Sequence, residues 1–159
     1  MMLKSFNIEL IADIRSLPGS RKYPQFDKEN LEIELPKNNI LYKHFPNLGG
    51  RRKVNKDSPN TSWRNDAFRG YADYMETDAF ENAIKELEQI ALKQRTCYMC
   101  AEAVWWQCHR SMVSDYLKAK KWKVYHIMNI GKAQEHCYTQ PARIIGDKVV
   151  YTESNLFEP

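Results

Sequence analysis

The residues whose types and spacing could do chemistry are densest between positions 100 and 110. Five of them carry reactive or charged groups: Cys100, Glu102, Cys108, His109 and Arg110. A cysteine thiolate is a strong nucleophile, and a nearby glutamate or histidine can carry its proton. Arginine offers a planar fork of donors that suits a phosphate or a carboxylate. We therefore predict an enzyme with a cysteine-containing anion pocket.

The predicted position of this segment favours the same chemistry. It runs from the end of a strand at 96–100 into a helix from about Gln107 to Lys121. The first turn of a helix exposes unpaired N–H groups and the positive end of the helix dipole, which attract an anion. The same field favours the thiolate form of Cys108, and of Cys100 if that side chain faces the turn. Either cysteine is then a candidate nucleophile.

Two other interpretations of the cysteines stay open. A metal ion could be bound through Cys100 and Cys108, although these two lack the usual short spacing of a ligand pair. Cys97 and Cys100 have that spacing, but an odd offset in a strand points them to opposite faces. Alternatively, both cysteines are small buried apolar side chains, as unpaired cysteines often are. The cofactor is otherwise left open, with this metal ion as the candidate that the cysteines suggest.

Polar side chains also end the other predicted strands. They are Asp13 with Arg15 at the end of the strand at 8–14, His44 at the end of the strand at 40–44, and His126 at the end of the strand at 123–127. In open parallel sheets, ligands bind beyond the carboxyl ends of the strands. Strand alternation places Asp13 and Arg15 on one side, so Arg15 is a second candidate for anion binding and the others are supporting residues. The alternatives are a structural ion pair and histidines that simply belong to the core.

The elements that would position these residues alternate between strand and helix. A strongly amphipathic helix is predicted over Asp78–Arg95, and Gly146-Asp147 is a two-residue hairpin turn between 142–145 and 148–151. Alternating strands and helices predict an α/β fold, with a mostly parallel sheet covered by helices and a C-terminal β-hairpin. At 159 residues the chain is expected to form a single domain over 1–159.

Composition narrows the class of protein. The chain has 43% hydrophobic and 28% charged residues, and a net charge of +4 suits an anionic small molecule or nucleic acid as partner. No apolar stretch approaches the roughly 20 residues of a membrane helix, and no signal peptide is evident. We therefore expect a cytoplasmic protein with reduced cysteines and no membrane partner. A symmetric homodimer is the default expectation for its assembly.

A nucleic-acid-binding or nucleic-acid-processing module is the alternative function. Residues 63–74 interleave arginines with aromatic rings, and residues 51–56 are basic. Aromatic rings with nearby cations can stack bases and hold phosphates. Rings at this spacing also commonly pack the start of a helix onto the core, so both interpretations remain.

Four groups of residues along the chain form a joint pattern. They are Asp13-Ile14-Arg15 with Pro18, Ser20, Arg21 and Phe26; Tyr42-x-His44 with Leu48-Gly49-Gly50; Trp63-Arg64-Asn65 with Phe68-x-Gly70-Tyr71; and Cys100-Ala-Glu102 with Cys108-His109-Arg110. In these motifs the chain resembles the family called domain of unknown function 488. The resemblance implies a three-layer α/β domain with helices on both faces of the sheet.

The resemblance also implies which residues form the site, though it supplies no reaction. It adds Arg21 to the anion-binding residues and Arg64 and Tyr71 to the supporting residues. The family usually opens with a Thr-Ile-Gly-His-Ser-like strand and a helix, which this sequence lacks. Met1 to Asn7 is then expected to be the tail of that helix.

Overall fold

A computed structural model describes residues 2–154 of the chain. The helices are α1 (Met2–Ser5), α2 (Lys28–Lys37), α3 (Asp66–Tyr74), α4 (Asp78–Ala91) and α5 (Arg110–Ala119). The strands are β1 (Leu10–Asp13), β2 (Leu41–His44), β3 (Thr96–Met99), β4 (Tyr125–Asn129), β5 (Lys132–Glu135), β6 (Arg143–Ile145) and β7 (Lys148–Val150). Met1 and residues 155–159 of the predicted domain lie outside this description. Within the segment from Met1 to Asn7, expected to be a helical tail, Met2–Ser5 are helical.

The described residues divide into two compact units. The first comprises the chain up to Gly50 together with Asp78–Ala103 and Asn129–Lys132. The second comprises Arg51–Thr77, Val104–Met128 and the described chain from Ala133 onward. The single domain over 1–159, expected from the chain length, stays a prediction.

The first unit is built on a parallel sheet in the order β2-β1-β3. All four residues of β1 are buried, which explains why its sequence is an apolar run rather than an alternating one. Asp13 is in register with His44 on one side and with Met99 on the other. The carboxyl ends of the three strands therefore lie side by side. This confirms the α/β fold with a parallel sheet.

Helices α2 and α4 complete the first unit. Helix α4 presents one apolar stripe, and its buried residues are Phe80, Ala83, Ile84 and Leu87. These positions recur every three to four residues, as the helical period requires. Helix α2 packs against β2 and buries Leu31.

The second unit contains α3, α5 and the antiparallel pair β6-β7. The turn between β6 and β7 has Gly146 at φ 64°, a left-handed conformation that glycine adopts without strain. This confirms the predicted C-terminal hairpin. Among the described helices, none is long and apolar enough to cross a membrane.

One strand differs from the prediction. The fourth strand was expected in the parallel sheet, but β4 pairs with β5 as a separate two-stranded sheet. Along β4, Tyr125 is exposed, His126 is buried and the last two residues are exposed, a pattern that suits a hairpin rather than a central strand. Gly131, at φ 65°, makes the tight turn into β5. His126 therefore does not end a strand of the parallel sheet, contrary to the prediction.

Candidate functional site

At the carboxyl end of β1, Asp13 and Arg15 form a buried ion pair. Their side chains are 0% and 5% exposed. The guanidinium donates through Nε to Asp13 Oδ1 at 2.9 Å and through Nη2 to Asp13 Oδ2 at 2.7 Å. Nη2 also donates to the carbonyl of Phe26 at 2.8 Å. Nε and Nη2 of Arg15 therefore already hold protein groups, as in a structural ion pair. The anion-binding role of Arg15 stays a prediction.

The neighbouring strand adds two polar contacts to this pair. The Tyr42 hydroxyl donates to Asp13 Oδ2 at 2.5 Å. Burial and this hydrogen bond raise the pKa of Tyr42 well above its usual 10, so the phenol stays protonated as a donor. His44 Nε2 lies 2.7 Å from the carbonyl of Arg15. Because a carbonyl can only accept, Nε2 of His44 carries the proton. The sheet edge is thus a closed polar network around Asp13.

An open cleft of about 760 Å³ lies beside this network. It is lined by Leu17, Pro18, Gly19, Ser20, Arg21, Pro24, Asp27, Lys28, Glu29 and His44. Two basic and two acidic side chains share its wall, so the cleft has no strong charge of one sign. Arg21, predicted to bind an anion, is part of this wall. That role stays a prediction.

Cys100 and Glu102 follow the third strand of the sheet. Strand β3 ends at Met99, so Cys100 is the first residue beyond it and is half-buried. Glu102 is exposed. Across residues 2–154, no two of the cysteines form a disulfide. The catalytic roles assigned to these two residues stay predictions.

In the second unit, Cys108 lies at the N-terminus of α5. The helix begins at Arg110, three residues later than predicted, because Trp105–Gln107 form a separate 3₁₀ turn. The backbone N–H of Arg110 donates to Cys108 Sγ at 3.4 Å, and His109 Nδ1 lies 3.5 Å from the same sulfur. A helix N-terminus and a nearby imidazole favour the thiolate form of a cysteine, whereas burial disfavours it. Cys108 itself is 4% exposed.

Two donor atoms at this helix start could serve a metal ion. The Cys108 sulfur and the His109 ring nitrogen are separated by 3.5 Å, and thiolate with imidazole is a usual zinc donor set. The predicted metal site through Cys100 and Cys108 stays a prediction.

Tyr71 supports the His109 side chain. Tyr71 belongs to α3, is 1% exposed, and its ring centre lies 4.9 Å from that of His109. The supporting role of Tyr71 in the site stays a prediction. Arg64, also predicted as a supporting residue, is exposed and precedes Asn65, the N-cap of α3.

The aromatic segment around Trp63 is packed within its own unit. The Trp63 ring stacks on Phe68 at 4.8 Å and lies 5.7 Å from the ring of Tyr151. The Arg52 guanidinium lies 3.7 Å from the ring centre of Tyr74. These faces are occupied by protein groups, as expected if the rings pack the start of a helix. Nucleic-acid binding stays a prediction.

A buried chain of three titratable side chains runs through the second unit. His126 Nε2 lies 2.8 Å from His136 Nδ1, and His136 Nε2 lies 2.8 Å from Asp115 Oδ1. Asp115 and His136 are fully buried, and His126 is 8% exposed. We name these three residues the Asp–His–His chain. Its accessible end is therefore His126.

Trp105 covers His126. The two rings are parallel within 4° and their centres are 4.3 Å apart. Burial, His136 and then the charge of Arg110 lower the pKa of His126 to about 4, against an opposing effect of Asp115. The charge of Arg110 thus acts on His126. Cys108, at the start of α5, belongs to the same unit.

Sequence reasoning missed Asp115 and His136. Asp115 lies one helical turn from both Ser111 and Ala119, and all three are buried. A carboxylate on the buried face of a helix needs a partner, and this signal was available in the periodicity of α5. No comparable signal exists for His136, which follows β5 outside any regular element.

Comparisons with known proteins give one family. The comparison with curated proteins and that with solved structures found no match. A family model described as "Domain of unknown function DUF488" matches residues 1–117, a range that includes Asp115 but not His126 or His136. The match covers more than half of the 159 residues and confirms the resemblance seen in the sequence motifs. The chain belongs to the DUF488 family.

Proposed function

We propose that the protein is an enzyme whose reaction centre is the start of α5. Cys108 is the nucleophile, and Arg110 binds the anionic group of the substrate, a phosphate or a carboxylate. The observation that carries this proposal is the hydrogen bond from the Arg110 N–H to the Cys108 sulfur. A sulfur that accepts from a helix N-terminus is held in the form that attacks an electrophile.

The surroundings of Cys108 supply the remaining parts of a thiol site. His109, 3.5 Å from the sulfur, can take or return its proton. The oxygen of Cys108 accepts from the N–H and the hydroxyl of Ser111, which fixes the backbone at the start of the helix. A nucleophile held by a rigid helix start needs little reorganisation during reaction.

The anion-binding role falls on Arg110 rather than on Arg15. Arg15 is buried against Asp13, whereas the positive charge of Arg110 reaches His126 in the second unit. Helix N-terminus and guanidinium together favour a bound anion. The roles of Cys100, Glu102 and Arg21 in the same reaction remain predictions.

Anion binding tests the role of Arg110. We expect Arg110→Gln to weaken sulfate binding by about 10-fold or more, since a charge-assisted hydrogen bond contributes roughly 1.5–3 kcal/mol. Isothermal titration calorimetry on the full chain measures the affinity. Lys123→Gln removes the same charge from an exposed side chain of this unit and should leave the affinity unchanged. Equal affinities in wild type and Arg110→Gln would refute the assignment.

Thiolate absorbance tests the role of Cys108. At pH 7, Cys108→Ser should lose the ultraviolet absorbance of one thiolate, because the serine hydroxyl does not ionise. Cys137→Ser, which changes an exposed cysteine of the same unit, should keep it. If neither variant loses absorbance, Cys108 is not the nucleophile. If purified wild type carries stoichiometric metal that Cys108→Ser lacks, the site is a metal site instead.

A further inference from the structure

We propose that the Asp–His–His chain is a proton relay coupled to anion binding at Arg110, with Nδ1 of His126 as the atom that takes up and returns the proton. The relay would act as general base and acid for an O–H or S–H group at the anion site. Its place in a reaction rests on the proposed function, whereas its existence rests on the geometry of the chain alone.

The direction of the relay follows from Asp115. Oδ1 accepts from the backbone N–H of Thr139 at 3.0 Å, and Oδ2 accepts from the hydroxyls of Thr139 at 2.5 Å and Tyr151 at 2.8 Å. Burial and the charge of Asp115 raise the pKa of Tyr151 well above its usual 10, so its hydroxyl stays a donor. Both oxygens of Asp115 therefore act as acceptors. Nε2 of His136 must therefore carry a proton and donate it to Oδ1.

The tautomer of His126 follows in turn. When both imidazoles are neutral, His136 is protonated on Nε2 and its Nδ1 can only accept. Nε2 of His126 then donates to His136 Nδ1, which leaves Nδ1 of His126 without a proton. No residue within 2–154 forms a hydrogen bond to that nitrogen. Nδ1 of His126 is thus an available base.

A proton taken up by the Asp–His–His chain leaves no charge on His126. The incoming proton bonds to Nδ1 of His126, and the proton on Nε2 of His126 passes to Nδ1 of His136. His136 becomes the imidazolium and lies 2.8 Å from the Asp115 carboxylate. His126 stays neutral and has exchanged one tautomer for the other. The positive charge therefore rests on His136, beside Asp115, and not on His126.

The groups around the relay explain its coupling to an anion. Burial, His136 and Arg110 disfavour a positive charge on His126, and Asp115 favours it. Lys118 donates to the backbone carbonyl of His136 at 2.6 Å. An anion bound by Arg110 offsets the guanidinium charge. Anion binding then increases the proton affinity of the relay, so the base becomes stronger when substrate is present.

Nuclear magnetic resonance of the ¹⁵N-histidine-labelled full chain tests the relay without any ligand. Two-bond proton–nitrogen spectra distinguish protonated from bare ring nitrogens. At high pH we expect His126 to be protonated on Nε2 only. After the pair has taken up one proton, we expect His126 to be protonated on Nδ1 only and His136 on both nitrogens. A His126 that keeps its first tautomer, or that becomes doubly protonated while His136 stays neutral, would overturn the proposal.

Calorimetry tests the coupling. Sulfate does not titrate in this range, so its binding enthalpy at pH 5 in buffers of different ionisation enthalpy gives the protons taken up. We expect uptake in wild type and none in His126→Gln; equal uptake in both would contradict the coupling. Absence of sulfate binding would refute the proposed function but leave the tautomer exchange as the test of the relay. In Cys108→Ser the exchange should persist, because that residue is not part of the relay.

Discussion

At the scale of single residues, buried charge is used in two different ways. Asp13 and Arg15 satisfy each other within three positions of the sequence, through two parallel hydrogen bonds. Asp115 is satisfied by His136, Thr139 and Tyr151. His136 leads in turn to His126, whose Nδ1 has no hydrogen-bond partner among residues 2–154. The first arrangement holds structure, and the second leaves a titratable end.

The Asp13–Arg15 pair makes a prediction about stability. Asp13→Asn leaves the guanidinium of Arg15 buried without its carboxylate, and we expect the free energy of unfolding to fall by about 3–5 kcal/mol. Urea unfolding measures it. The matched control is Lys37→Gln, which breaks an ion pair with Glu34 whose side chains are both 62% exposed and should change stability by less than about 1 kcal/mol. A small effect of Asp13→Asn would contradict the structural role of the pair and favour the anion-binding role of Arg15.

At the scale of elements, local patterns predict strands and helices but not their partners. The apolar run of β1 and the stripe of α4 arise from burial of their own side chains, so the sequence shows them directly. Strand β4 also contains apolar residues, yet its partner β5 is fully exposed and has no apolar pattern. The hairpin was therefore missed, and His126 was assigned to the wrong sheet.

Helix α3 makes a prediction at this scale. Gly70 lies in its middle, where an added Cβ would lie 2.2 Å from the carbonyl oxygen of Arg52. Alanine normally stabilises a helix interior, but here the backbone of residues 52–54 must move. We expect Gly70→Ala to lower the free energy of unfolding by about 1–3 kcal/mol. Gly19→Ala, whose Cβ would have no neighbour closer than 4.0 Å, is the control and should change little in the same urea series. Stabilisation by Gly70→Ala would contradict this packing.

At the scale of the whole molecule, some residues of the candidate site are neighbours in the sequence, and others meet only in the folded structure. Cys108, His109 and Arg110 are adjacent in sequence, so their joint role was open to prediction. His136 and Asp115 are 21 positions apart and meet only through the tertiary fold. Short-range spacing carries no information on such a contact, which is why the chain of imidazoles emerged only from the structure.

The lowered pKa of His126 predicts how stability depends on pH. In the folded protein the pKa of His126 is about 4, whereas the usual pKa of a histidine is 6.5. Between these values the unfolded chain binds a proton that the folded chain does not, so stability is full above about 6.5 and falls as the pH falls. The total loss is about 3 kcal/mol. Urea unfolding between pH 7 and pH 4 measures it, and the slope should be shallower in His126→Gln. Equal slopes would show that His126 is not the group responsible.

The parallel contact of Trp105 with His126 has an optical consequence. An imidazolium quenches indole emission more strongly than a neutral imidazole does, and the 4.3 Å separation of the rings places Trp105 within contact range of that effect. The ring centre of Trp105 also lies 5.1 Å from that of His136, so its emission should dim when the two histidines have taken up a proton and recover when they release it. The protein thus contains its own fluorescent indicator, which would follow proton uptake in real time without any added dye.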